Sequence, residues 1–245
     1  MTDKNDLNAA WDLFCKNDCF DIRVETDNKV KKKMPLCSDL YISTKTVICY
    51  LNKNIDINLI FWKIPIIPYY TAENGVLKKE IKLTCNEKKE LDVILKNIEC
   101  YDNVNMHIIT NIDNKNGRIK FKDVRKISIG LSKKDILTTR AKKKSAFYNC
   151  FVVILRIKHN DIFKEIHIKV FNTGKLEIPG IQDDKLLTKA LSYLVNVLKN
   201  IGVDSIEVNP ERETVLINSN FNCNYFIDRE KLFNILKYKY NINCS

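Results

Sequence analysis

Short apolar stretches with the spacing of β-strands recur along the chain. The run FVVILRI at 151–157 is continuously apolar and predicts a buried strand. In the stretch after it, Ile166, Ile168 and Val170 alternate with polar residues, which predicts a strand with one buried face. Further strands are predicted at 41–51, 77–83, 106–112, 118–121, 176–178 and 214–221.

Other stretches have the spacing of amphipathic helices. Asp56 stands where an N-cap belongs, and Pro65 ends the helix that follows it. Helices are also predicted at 87–98 and at 228–238. Asp183 begins a long helix with a single apolar stripe, and Gly202 occupies its C-terminal position. Three antiparallel strands followed by this helix on their buried face predict an α+β layer.

Glycines mark the predicted turns. Asn116-Gly117 is a strong signal for a β-hairpin between the strands at 106–112 and 118–121. The sequence NTGK at 172–175 predicts a tight turn, and Pro179-Gly180 is expected to end the short strand that follows it.

The chain carries 41 Lys+Arg against 30 Asp+Glu, which gives a net charge of +11. A basic excess is an argument about partners, because it favours polyanions such as DNA, RNA or an anionic membrane. The codon bias of an AT-rich genome, which enriches Lys, Asn and Ile, would produce the same excess. Composition alone leaves both explanations open.

Metal sites and enzyme motifs are not indicated by the sequence. Nine cysteines and three histidines lack the paired spacing of zinc ligands, so we expect free thiols and no cofactor. Phosphate-binding glycine loops and hydrolase motifs are also absent, which favours a non-enzymatic protein. We find no apolar run near the roughly 20 residues of a membrane helix and no secretory signal, and we expect an intracellular protein.

The segment from 156 to 201 has a recognisable order of residues. Arg156-Ile157 is followed by VFNTGKL at 170–176, by Gly180 and by the helix from Asp183. This block resembles one repeat of the TATA-box-binding protein family, whose repeat has an I-F-x-S-G-K-x-x-x-x-G core at the same place. The phrases ISTKTVICYLN, FNTGKLEIPGIQ and NSNFNCNYF resemble the divergent members of nucleocytoplasmic large DNA viruses in particular.

The resemblance implies an α+β fold with a curved antiparallel sheet, half to whole of a saddle, and helices packed on its convex face. It also implies an N-terminal extension at 1–38 and a first repeat at 39–202, with an insertion at about 74–143 that we expect to form a small structure of its own. Residues 203–245 would form the start of a second, incomplete repeat. The family has two repeats, so either this product is truncated or a dimer or partner chain completes the saddle.

In this family the concave face of the sheet lies in the minor groove, and phenylalanine pairs wedge into base steps. Phe171 matches a wedge position, and it faces the groove because Val170 takes the core side. Lys175 and Arg156 match positions that reach the phosphate backbone.

The remaining expected DNA contacts lie on the same face or on the two first strands. Lys169 belongs to the concave face, while Thr44 and Thr46 align with groove-facing residues of the family's first strand. The asparagines at 218–224, Asn220 among them, either contact groove edges or reflect composition bias.

Several positions depart from the family pattern. The partner wedge aligns with Cys150, and the neighbouring Phe151 faces the core. Glu177 and Pro179 stand where the family has valine and threonine near the DNA. A carboxylate opposite groove acceptors and phosphates is unfavourable, so these changes bear on specific TATA recognition.

The resemblance implies a transcription initiation factor that binds AT-rich double-stranded promoter DNA and recruits a TFIIB-like factor and a viral RNA polymerase. We expect it in the host nucleus or in a cytoplasmic virus factory, without membrane association. The alternative is an adaptor that keeps the fold but binds a protein in viral transcription, with little or no specific DNA binding. An enzymatic role ranks third, because no paired carboxylates stand near a metal-ligand pattern.

Overall fold

The computed structural model describes residues 35–138 and 148–244. These residues form two compact units, one of residues 38–222 and one of residues 35–37 with 223–244. Most of the extension predicted at 1–38 lies outside the described residues. The predicted repeat and extension boundaries stay predictions.

In the described part of the chain, eight strands form one antiparallel sheet in the order β3-β4-β2-β5-β6-β7-β1-β8. The sheet is curved and open, and with its helices it gives the predicted α+β fold. The strands are β1 Tyr41–Leu51, β2 Gly75–Cys85, β3 Val104–Asp113, β4 Phe121–Gly130, β5 Cys150–His159, β6 Ile162–Phe171, β7 Lys175–Ile181 and β8 Val208–Asn220.

Two helices begin at the caps that the sequence predicts. The Asp56 carboxylate accepts two backbone N–H bonds at the start of the first helix, and Asp183 does the same for the long one. Gly202 follows the long helix with a φ of 93°. The helices are α1 Ile57–Lys63, α2 Lys88–Glu99, α3 Lys133–Leu137, α4 Asp184–Asn200 and α5 Arg229–Asn234, which continues into a π-helical turn at Ile235–Lys239.

One face of the sheet is covered by α1, α2 and α4, and we call it the helix face. Alternate strand residues pack there into a single core. Phe151 is fully buried in it, with its ring 6.4 Å from that of Phe61 on α1, so its predicted core orientation is confirmed. The other side of the sheet is called the open face.

The segment expected to be a separately structured insertion is continuous with the sheet. It supplies β2, β3 and β4, and β2 is hydrogen-bonded along β5 through pairs such as Ile81 with Phe151. The reason is the shared core, because Ile81 and Ile127 are buried in the same cluster as the β5 side chains.

Two predicted strand ends are wrong. β7 continues through Pro179-Gly180, because a bulge lies between its pairs Ile178 with Val47 and Ile181 with Lys45. The bulge takes up the proline, and Gly180 has a φ of 80°. The Asn116-Gly117 hairpin is present, but a longer loop, closed from the Asn114 N–H to the Lys120 carbonyl, delays β4 to Phe121.

Lys79 is a buried lysine on the helix face. Its side chain is fully buried, and its ammonium donates to the Ile64 carbonyl at 2.8 Å, just beyond the C-terminal end of α1. The same ammonium lies 4.4 Å from the centroid of the Tyr101 ring. Burial lowers the pKa of Lys79 to about 8, from an ordinary 10.5.

The pH dependence of stability should report this buried ammonium. Between pH 8 and 10.5 the unfolded chain binds more protons at Lys79 than the folded chain, so the free energy of unfolding rises with pH across that window. This contribution to the free energy of unfolding is complete above the pKa that Lys79 has in the unfolded chain. It is lost as pH falls through the lower pKa that Lys79 has in the folded protein. Its full size is of the order of 3 kcal/mol.

We expect Lys79→Met to flatten the rise, measured by urea unfolding at pH 7 to 10.5, and the exposed control Lys89→Met to retain it. Equal slopes in the two variants would contradict this reading of Lys79.

Candidate nucleic-acid interface

The strand register arranges open-face side chains into transverse rows. We call the row at the end of the sheet nearest the β6–β7 turn the cationic row. It crosses seven of the eight strands, from β3 to β1. Its members, from β3 to β1, are His107, Lys126, Lys82, Cys150, Phe171, Lys175 and Tyr50.

The pairs within the cationic row follow from the hydrogen-bonded register. Lys126 pairs with both His107 and Lys82, Cys150 pairs with Phe171, and Lys175 pairs with Tyr50. The two remaining junctions lie one residue beyond observed pairs, at 81 with 151 and at 170 with 176. In antiparallel strands such opposed residues point to the same face, so the row is continuous.

The free cations of this row lie beside aromatic rings. The Lys175 ammonium is 5.7 Å from the centroid of Phe171, and the Lys82 ammonium is 3.5 Å from the centroid of Tyr148. Tyr50 is 43% exposed, and Phe171 is partly exposed. Among the described residues, neither Lys82 nor Lys175 has a carboxylate partner, so both charges are available to an anion.

The next row of the open face carries Glu80, Glu177 and Glu213, and we call it the carboxylate row. It consists of Asn105, Ser128, Glu80, Val152, Lys169, Glu177, Ile48 and Glu213.

Two carboxylates of this row are neutralised within the sheet. Glu80 lies 2.9 Å from the ammonium of Lys78 and 3.0 Å from that of Lys126. Burial alone would raise the pKa of Glu80, but these two lysines outweigh it and lower that pKa. Glu177 accepts a 2.6 Å bond from Lys169 on the adjacent strand. The acidic residue that departs from the family pattern is therefore paired.

The far end of the open face is covered. There, α3 is held against the sheet by Asp135, whose carboxylate binds the Lys78 ammonium at 2.9 Å. The loop at 69–71 lies over Arg156, whose Nη1 donates to the Tyr69 carbonyl at 2.7 Å and the Thr71 carbonyl at 2.8 Å. The cationic row lies at the other end of the open face, away from α3 and the 69–71 loop.

The structure brings together only part of the predicted site. Phe171 and Lys175 are neighbours in the cationic row, and Lys169 lies one row away. Arg156 is 8% exposed and is bonded to backbone carbonyls and stacked at 4.5 Å on the Tyr69 ring. The Arg156 side chain thus anchors the 69–71 loop. A phosphate contact by Arg156 stays a prediction.

The predicted residues of β1 and β8 lie away from the cationic row. Thr44 accepts a 2.9 Å bond from the Asn218 amide, and Thr46 pairs with Leu216 across the two strands. Asn220 is exposed and pairs with Tyr41 at the first residue of β1. Their contacts with groove edges stay predictions.

A glycine turn places Phe171 beside Lys175. Gly174 has a φ of 80°, and a Cβ at this position would lie 2.5 Å from the Lys53 carbonyl oxygen. Its own carbonyl accepts a 2.8 Å bond from the Leu51 N–H. Only glycine satisfies both constraints, which confirms the tight turn predicted at 172–175.

Sequence reasoning missed Lys82, Lys126, Tyr50 and His107. The alternation of lysines with Ile81 and Leu83 is visible in the sequence, but it does not show that β2 pairs with β5. Within 35–138 and 148–244, no three His, Cys, Asp or Glu residues cluster as metal ligands. No helix in those ranges is long and apolar enough to cross a membrane.

Comparison with known proteins gives one informative match. A protein of Acanthamoeba polyphaga mimivirus named "TATA-box-binding protein-like" is 28% identical over an alignment that covers 42% of this chain. That alignment spans 32% of the viral protein's own length. No protein-family model and no solved structure matches the chain. Together with the curved eight-stranded sheet, the match supports a divergent TATA-box-binding-protein-like relationship for this chain.

Proposed function

We propose that this protein is a TATA-box-binding-protein-like transcription initiation factor that binds AT-rich promoter DNA through the open face of its sheet. The observation that carries the proposal is the cationic row. Within the described ranges, it combines two lysines that lack carboxylate partners with a partly exposed Phe171, at the end of the sheet away from α3 and the 69–71 loop.

The dimensions of the row suit a duplex. Six gaps between seven neighbouring strands, at about 4.8 Å each, make the row about 29 Å long. That length corresponds to about eight base pairs at 3.4 Å per pair. Lysines spread along it supply contacts to phosphates, while an apolar ring between them supplies a wedge for a flexible base step.

The charge pairs of the carboxylate row support the same proposal. Because Lys169 neutralises Glu177 and two lysines neutralise Glu80, these carboxylates do not face the DNA as isolated negative charges. The protein would act without enzymatic activity, in the host nucleus or a cytoplasmic virus factory. The exposed outer side of α4 is available for a TFIIB-like factor or a viral RNA polymerase.

A second candidate function, that of a protein-binding adaptor in viral transcription, is favoured by β8. This strand of 13 residues is paired with β1 alone among the described strands, and Val215, Leu216 and Ile217 are each about half exposed. An unpaired strand edge with apolar side chains can accept a strand from a partner or from a second copy.

Replacing the two free lysines of the row tests the leading proposal. The double variant Lys82→Gln and Lys175→Gln should reduce the dependence of log affinity on log salt by about two, since each phosphate contact contributes about 0.9. Binding is measured by fluorescence anisotropy with labelled AT-rich and GC-rich duplexes over a salt series. The wild-type protein should prefer the AT-rich duplex.

The matched control replaces Lys88 and Lys89 of α2 with glutamine, removing the same charge from the helix side. It should behave as the wild-type protein does. No binding by the wild-type protein at low salt would exclude DNA binding and favour the adaptor. Equal losses in the two variants would show that net charge, not the row, attracts DNA.

Phe171 should bend the duplex. If its ring enters a base step, Phe171→Ala removes the wedge and the bend, while the lysines retain most of the affinity. Bending is measured by energy transfer between dyes at the ends of an AT-rich duplex. Phe163→Ala is the control, because Phe163 is an open-face aromatic residue outside the cationic row. An unchanged bend in Phe171→Ala would remove Phe171 from the mechanism.

A further inference from the structure

The β3–β4 hairpin carries cations that the cationic row does not include. Residues 104–130 contain six Lys or Arg and two Asp. The four cations nearest the tip are exposed or half-exposed, and in the described part of the chain none of them has a carboxylate partner. These tip cations are Lys115, Arg118, Lys120 and Lys122.

The acidic residues of the hairpin do not neutralise its tip. Asp123 is fully buried, and its carboxylate binds the Arg125 Nε at 2.6 Å and the Asn111 amide at 2.7 Å. These bonds join β3 to β4, and the Asp123 charge is neutralised by Arg125. Asp113 is the other acidic residue, and it forms no ion pair within the described ranges. The hairpin tip therefore keeps its net positive charge, while the Asp123 network holds the two strands together at its base.

The tip projects past the strand beside it. β4 pairs with β2 as far as Asp123 with Cys85, and the residues before Asp123 pair with β3 alone among the described strands. The loop is closed by bonds within 114–120. Lys122 points to the open face, because it lies four residues before Lys126 of the cationic row, a distance of about 14 Å along the strand. Cationic side chains thus continue from the row towards the tip.

We propose that the β3–β4 hairpin is a second nucleic-acid contact, which binds backbone phosphates of a duplex lying on the cationic row. The inference rests on the proposed function. Four tip cations that have no carboxylate partner among the described residues surround one exposed apolar side chain, Ile119, and this favours a polyanion over an apolar protein surface. The ligand is phosphate of double-stranded nucleic acid, and the contact carries no base specificity.

The test uses a hairpin variant of the full chain with Lys115→Gln, Arg118→Gln, Lys120→Gln and Lys122→Gln. We expect its salt dependence to be lower than that of the wild-type protein by about two to four. We expect its affinity at about 100 mM salt to fall at least tenfold, equally for AT-rich and GC-rich duplexes.

A charge-matched variant separates a local contact from net charge. It carries glutamine at four exposed lysines of α2 and α4, namely Lys88, Lys89, Lys96 and Lys189. This variant should bind nearly as tightly as the wild-type protein. Equal losses in the hairpin and charge-matched variants would overturn the hairpin contact, and so would wild-type affinity in the hairpin variant.

Failure of the open-face proposal gives a different result. If the hairpin variant loses affinity while Lys82→Gln with Lys175→Gln does not, the hairpin contact stands and the cationic row does not bind DNA. If the wild-type protein binds no duplex at low salt, both proposals fall. Urea unfolding of each variant verifies that the sheet is retained, since all four tip cations are exposed or half-exposed.

Discussion

The register of one antiparallel sheet is the constraint on which the interface depends. Side chains alternate between faces with a period of two, so a slip of one residue in any strand pair would exchange core and open-face residues. Burial on the helix face fixes the register. Phe151, Ile168 and Ile127 are fully buried there, so their neighbours along each strand point to the open face. The lysines and aromatic residues of the open face are aligned as a consequence of this core.

Charge is distributed unevenly over the open face, because the strand register places the lysines of the cationic row and the carboxylates in different transverse rows. Glu80 and Glu177 lie in one row and are paired with lysines, whereas Lys82 and Lys175 lie in a row without acidic residues. The far end is covered by α3 and the 69–71 loop. Position along the strand therefore sets Lys82 and Lys175 apart from the paired carboxylates, which net charge alone does not reveal.

Local signals predicted much of the fold. The caps at Asp56 and Asp183, the long helix and the turn at Gly174 each depend on residues within a few positions of one another. Contacts between distant segments were not predictable in this way. The pairing of Ile81 on β2 with Phe151 on β5 joins residues 70 positions apart, and Arg156 is buried by a loop whose Thr71 is 85 positions away. Phe171 and Lys175 were identified from the resemblance, while their lysine neighbours required the register.

The reactivity of each lysine, measured over the described chain, tests DNA binding by the open face. The protein is treated with an acylating reagent, with and without an AT-rich duplex at low salt, and each lysine is quantified by mass spectrometry. We expect strong protection of Lys82 and Lys175 by DNA, with unchanged modification of Lys88, Lys89 and Lys189 on the opposite side. Equal protection of both groups, or protection of the helix-side lysines alone, would contradict DNA binding by the open face.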